Sequence, residues 1–130
     1  MVKYIISIIF LISVFILNSV ESKAQNSNIM YRIAKIKVDE KQLENYKTAL
    51  QEQMNAAIKL EPGVLSYTVV ADKKGATSIT IFEVYANLDA YLSHIQTPHF
   101  KKYKETVKDM VLSLELIDTD LIARTKKSDY

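Results

Sequence analysis

The segment TSITIFEVY, Thr77 to Tyr85, is apolar on both sides of an extended chain. Side chains alternate along a strand, so Ile79, Ile81, Glu83 and Tyr85 point one way while Phe82 and Val84 point the other. A sheet with one face in water alternates apolar and polar residues. This segment does not, so its sheet must be covered twice. Helices of the same chain can cover one face. The second needs another layer, which a copy of the same sheet across a two-fold axis supplies, and a homodimer is expected. Glu83 interrupts the apolar side as a buried acid or as half of an interface salt bridge; the salt bridge is the expected role.

The neighbouring segments supply the rest of the sheet. MYRIAKIKV (Met30 to Val38) is rich in β-branched residues and reads as a first strand. Asp39 with Gln42 three residues on resembles a capped helix start. Leu43, Tyr46, Leu50, Met54, Ala57 and Ile58 then recur at helical spacing until Glu61-Pro62-Gly63 stops the helix. Val64 to Ala71 is a second strand, joined by a short turn to Thr77–Tyr85 as an antiparallel hairpin. Asn87 caps a short helix carrying Leu88, Leu92 and Ile95. Thr97-Pro98 restarts the chain as a second helix with Phe100, Tyr103, Val107 and Met110 on one side. Val111 to Ile122 is the last strand. The order is that of a ferredoxin-like α+β fold, a four-stranded antiparallel sheet with helices on one face.

Ahead of this domain, residues 1–24 read as a cleaved signal peptide. Lys3 precedes the apolar run Tyr4 to Leu17, and Ser22 and Ala24 are small residues at the expected cut after Ala24. An apolar run of 14 residues covers only about 21 Å as a helix, short of the ~30 Å of a hydrocarbon core, so an uncleaved anchor is the weaker reading. A secreted or periplasmic location follows. The remaining divisions are a polar lead-in at 25–29, the domain at 30–123 and a charged tail at 124–130. Without residues 1–24, 17 basic and 15 acidic side chains become 15 and 14, which leaves no electrostatic footprint for nucleic acid. The chain has no cysteine, so disulfides, thiolate catalysis and thiolate metal sites are excluded. Two glycines cannot form a phosphate-binding loop.

Both histidines fall in HIQTPHF, His94 to Phe100, five positions apart. Helical residues sharing a metal sit three or four apart, and no third histidine or cysteine completes a set, so no metal is expected. No nucleophile elbow accompanies Ser93. Acid–base chemistry remains. His99, in the first turn of its helix, is placed where the dipole favours a neutral, proton-accepting ring. His94 and His99 are the candidate bases, against the plainer reading of two half-buried histidines bonded to backbone or water.

LEPGVLSY (Leu60 to Tyr67), FEVYANLDAYLSHIQTPHFKKY (Phe82 to Tyr103) and SLELIDTDLI (Ser113 to Ile122) together resemble the antibiotic biosynthesis monooxygenase domain, the group that includes the quinol monooxygenases. The likeness runs from about Met30 to Leu121, and HIQTPHF after EVY is its specific part. The resemblance implies a dimeric α+β barrel and oxygenation of quinol-like or phenolic aromatics by O₂ with no bound metal or flavin, the substrate anion itself supplying the electron. Such chemistry needs a base, an apolar pocket and groups that steady the anion. His94 or His99 would be the base, Arg32 would pair with the anionic oxygen, and Tyr67, Phe82 and Tyr103 would line the pocket. Haem-degrading relatives differ, with His94 where they carry a tryptophan and Lys104 where they carry the haem-ligand histidine. An isomerase or lyase using the same base, or a non-catalytic small-molecule-binding module, is the alternative on this scaffold.

Overall fold

The computed structural model describes residues 28–130. The expected signal peptide lies outside the described residues. The chain forms β1 (Met30–Val38), α1 (Leu43–Leu60), β2 (Val64–Asp72), β3 (Gly75–Tyr85), α2 (Leu88–His94), α3 (Pro98–Val107) and β4 (Val111–Thr119). All pairings are antiparallel, in the order β2-β3-β1-β4. This is the ferredoxin-like α+β fold expected from the sequence. Among the described residues, no helix is long and apolar enough to cross a membrane.

Local chemistry sets the boundaries. Asp39 accepts a hydrogen bond from the Lys41 backbone N–H at 2.8 Å and opens a 3₁₀ turn, Glu40–Gln42, rather than α1 directly. The Gln42 backbone N–H donates to the Asp39 carbonyl, but its side chain does not reach back to Asp39; the side-chain oxygen accepts from Asn45 instead. The Asn87 side chain accepts from the Ala90 N–H at 2.8 Å at the start of α2. Thr97 accepts from the Phe100 N–H, with Pro98 in the first helical position of α3, where its missing N–H costs nothing. The last strand ends at Thr119, three residues short of the expected Ile122.

The helices cover the sheet face that carries Ala34, Ile36, Val38, Ile79 and Ile81, which are all buried together with Tyr46, Leu50 and Val107. On α1 the inward line is Tyr46, Leu50, Gln53 and Ala57. Gln53, absent from the expected apolar stripe, is buried on this line, whereas Ile58, which belonged to the stripe, is 51% exposed, because it lies about 100° round the helix from Ala57, which faces the core.

Among the described residues, nothing covers the other face of the sheet. Cross-strand pairing aligns Thr68, Phe82, Ile33 and Ile117 in one row across all four strands. Phe82 at the centre of this row is 45% exposed.

Candidate active site

Two local features bring the histidines together. Pro98 ends one helix and starts the next, so the five-residue separation no longer fixes opposite directions for the rings. The stop after α1 then delivers Glu61 between them. Gly63 lets that loop press against α2: a Cβ on Gly63 would lie 2.5 Å from the Ala90 methyl. The Gly63 carbonyl also accepts from the Ala86 N–H at 2.8 Å.

One oxygen of Glu61, Oε2, sits 2.9 Å from His94 Nδ1 and 2.6 Å from His99 Nε2. Each ring therefore donates an N–H to the same carboxylate oxygen. The bond to Nδ1 leaves His94 Nε2 as the unprotonated nitrogen, 3.0 Å from the Tyr67 hydroxyl and 3.1 Å from the Gln53 amide nitrogen. Carboxylate, imidazole and a hydroxyl in line repeat the logic of a hydrolase triad, in which the acid fixes the tautomer and aim of the base. His94 is 1% exposed, and burial lowers its pKa from the ordinary 6.5 despite Glu61, so the ring is a neutral base. The histidine spacing alone gave no third ligand, yet Glu61, His94 and His99 place three ligand-type atoms within 4.8 Å of one another. The short contacts among them are those of N–H donors on one acceptor, which a cation would have to displace.

From Tyr67 the hydrogen bonding continues. Its hydroxyl lies 3.3 Å from that of Tyr85, which is 2.9 Å from Glu83 Oε2. Glu83 is a half-buried acid on the helix-covered side of the sheet, partnered by the Tyr85 phenol at the cavity rather than placed on the uncovered face expected to form the interface, and burial raises its pKa above the usual carboxylate value. Burial likewise pushes Tyr67 up to about 12, and raises Tyr85 and Tyr103 further. All these phenols are protonated donors at neutral pH. Tyr103 bonds to Tyr46 at 2.9 Å.

His94, Tyr67, Tyr85, Glu83, Tyr103 and Phe100 line a cavity of about 100 Å³ between the sheet and the helices. Leu114 and Leu116 of β4 border it. The structure thus brings His94, Tyr67 and Tyr103 together, with His99 one carboxylate removed. It does not bring in Phe82, whose odd place in the β3 alternation sends it to the uncovered face. Nor is Arg32 free for an anion: its guanidinium is paired to Asp118 at 2.7 Å and stacked 4.1 Å from the centre of the Tyr91 ring. Sequence reasoning missed Glu61, Gln53 and Tyr85 as site residues.

The family model for antibiotic biosynthesis monooxygenases matches residues 29–106. The chain belongs to that family. A crystal structure from Bacteroides thetaiotaomicron, provisionally named an antibiotic biosynthesis monooxygenase, is 47% identical, with a TM-score of 0.73 over 77% of this chain and 95% of that one. A provisionally named monooxygenase from Lactobacillus acidophilus is 30% identical, with a TM-score of 0.68 over 69% of this chain and 43% of the other. A curated relative in Synechocystis, itself uncharacterised, is 32% identical over 78 residues; the match spans 60% of this chain and about half, 53%, of that relative.

Proposed function

We propose that this family member is a monooxygenase that oxidises a single-ring phenol or hydroquinone with O₂, using no resident cofactor and His94 as the base. The observation that carries the reading is the orientation of His94, a buried neutral imidazole held by Glu61 with its free nitrogen at the cavity. The cavity of about 100 Å³ is smaller than the ~150 Å³ that holds one benzene ring, so a single-ring substrate enters only if lining side chains such as Tyr67 swing aside. It does not suit a haem.

The substrate hydroxyl takes the place of the Tyr67 hydroxyl at His94 Nε2 and gives up its proton there. The resulting anion passes an electron to O₂, and the pair recombines with formation of a ring C–O bond. Proton delivery to the peroxide, loss of the ring C–H proton and cleavage of the O–O bond release water and leave a quinone. One phenol and one O₂ become one quinone and one water, so O₂ is the oxidant and no other reductant is consumed. Tyr67 and Tyr103 supply hydrogen bonds within an enclosure that holds water back from the anion.

The functional unit we propose is a homodimer joined through the uncovered sheet faces, where the row centred on Phe82 meets its copy. Residues 1–24 would direct export, so the substrate would be met outside the cytoplasm. Oxygen uptake by the purified protein against a panel of substituted hydroquinones and phenols tests the oxygenase reading. Stoichiometric O₂ consumption with quinone formation, lost in His94→Gln, is expected. Enolisation or tight binding of panel compounds without O₂ uptake would replace the reading with an isomerase or a binding module.

A further inference from the structure

The bonds from Glu83 to Glu61 run Glu83–Tyr85–Tyr67–His94–Glu61, with lengths of 2.9, 3.3, 3.0 and 2.9 Å. Counting protons along them gives a definite answer. If Glu83 is ionised, Tyr85 commits its only proton to Glu83. Tyr67 then has one proton for two contacts, the Tyr85 oxygen and His94 Nε2. One of those contacts would set two lone pairs against each other. A single additional proton removes the conflict. Placed on Glu83, it makes every bond run one way: Glu83 to Tyr85, Tyr85 to Tyr67, Tyr67 to His94, and His94 Nδ1–H to Glu61. Placed on His94 Nε2, it reverses the direction along the phenols and ends on an ionised Glu83.

The surroundings choose between these two states. Gln53 presents its amide nitrogen to His94 Nε2 at 3.1 Å, which suits a bare nitrogen and opposes a protonated one. Glu83 is half-buried and lines the cavity with the phenols of Tyr85, Tyr67 and Tyr103; of the cations on its side, Arg32 is paired with Asp118 and Lys104 lies at the cavity wall, and burial outweighs their pull and raises the Glu83 pKa. Both arguments put the proton at the Glu83 end.

We propose that Glu83 and His94 share one proton through Tyr85 and Tyr67, stored on Glu83 in the resting protein and delivered by the Tyr67 hydroxyl to the peroxide oxygen that leaves the substrate. The cavity then holds a matched pair, a base arm ending at His94 and an acid arm ending at Tyr67, with the two tips 3.0 Å apart. When a substrate hydroxyl takes over His94 Nε2, Tyr67 turns its proton toward the reacting oxygens, and Tyr85 and Glu83 each shift one proton along to replace it. On the protein only the O–H bonds of the chain and the N–H at His94 Nε2 are made or broken, and the proton that His94 took from the substrate returns through Tyr67 and Tyr85 to Glu83 after product leaves. The use of this proton rests on the oxygenase reading; its position does not.

Infrared spectroscopy of the intact domain tests the position without any substrate. A protonated buried carboxyl gives a carbonyl band above the amide region at neutral pH that moves in D₂O. Its presence in the wild type, loss in Glu83→Gln and displacement in Tyr85→Phe are expected. Absence of the band in the wild type overturns the shared proton. Turnover with the best hydroquinone of the panel tests the role. Because Gln can still donate to Tyr85 but has no proton to release, Glu83→Gln should keep substrate affinity and lower turnover by about 10²-fold, a typical share for general acid catalysis. A band of the expected behaviour with unchanged turnover in Glu83→Gln overturns the delivery role. A wild type inert toward O₂ that keeps the band retires the oxygenase reading and leaves the stored proton standing.

Discussion

Gly63 and Ala90 approach so closely that a methyl group on the first would fall 2.5 Å from the methyl of the second. The contact seats the loop after α1 against α2 and so brings Glu61 under His94. Gly63→Ala should destabilise the domain by about 1–3 kcal/mol, the usual cost of overpacking. Urea unfolding measures the loss. Adding Ala90→Gly should relieve the clash, less roughly 1 kcal/mol for a glycine inside a helix; no recovery in the double variant would place the strain elsewhere.

Glu61→Gln keeps the shape of the side chain but offers a neutral amide to two ring N–H groups. One buried N–H loses a good acceptor, which costs about 1–3 kcal/mol. His94 is also freed to adopt the other tautomer, with its proton on Nε2 and no basic nitrogen at the cavity. Nitrogen NMR of labelled histidine should show that change, with turnover of a hydroquinone lowered by at least about 10²-fold. An unchanged tautomer would mean that Tyr67 and Gln53 suffice to orient the ring.

The lowered pKa of His94 makes stability depend on pH in a definite direction. The unfolded chain binds the proton more readily, so folding is favoured while the ring is neutral in both states. That contribution is present above about 6.5 and is lost as pH falls through the lower folded value. Glu83, with its pKa raised, acts oppositely: its contribution is present below about 4.5 and is lost as pH rises through the folded value. Melting temperature followed from pH 8 down to about pH 5 should therefore fall in the wild type and fall less in His94→Gln. Parallel curves would assign the acid sensitivity to other groups.

Zinc or cobalt offered in equimolar amount should leave the melting temperature unchanged, because the donors of Glu61, His94 and His99 are engaged with one another. A rise that Glu61→Gln abolishes, with a visible cobalt spectrum, would identify a metal centre instead.

Phe82→Lys puts a charge at the centre of the uncovered sheet face without touching the cavity. Sedimentation should show the wild type at twice the chain mass and the variant at one. A monomeric wild type would leave that face without the partner proposed for it.

Much of the fold was legible because its signals are local. The Asn87 and Thr97-Pro98 caps, the Glu61-Pro62-Gly63 stop and the alternation in β3 each depend on a few adjacent residues. The same alternation already pointed Phe82 away from Tyr85, so its expected place in the pocket, which rested on its aromatic chemistry and its position beside Glu83, went against that pattern. The site was harder to read because it depends on contacts between residues distant in the chain. Glu61 looked like part of a helix stop, and only the seating of Gly63 on α2 brings it to a histidine 33 positions later. Gln53 was hidden on the buried side of an otherwise apolar helix face. Arg32 sat on the expected strand, but nothing local showed that Asp118, 86 positions on, would engage it.

The ring of phenols around the cavity has a practical consequence. The chain has eight tyrosines and no tryptophan, and Tyr67, Tyr85, Tyr91 and Tyr103 all border the cavity. Ultraviolet emission from the domain at 30–123 therefore comes from tyrosine alone, with four of its six tyrosines beside the binding space. An aromatic guest would change that light on entry, so the protein carries its own optical gauge of occupancy and needs no attached dye.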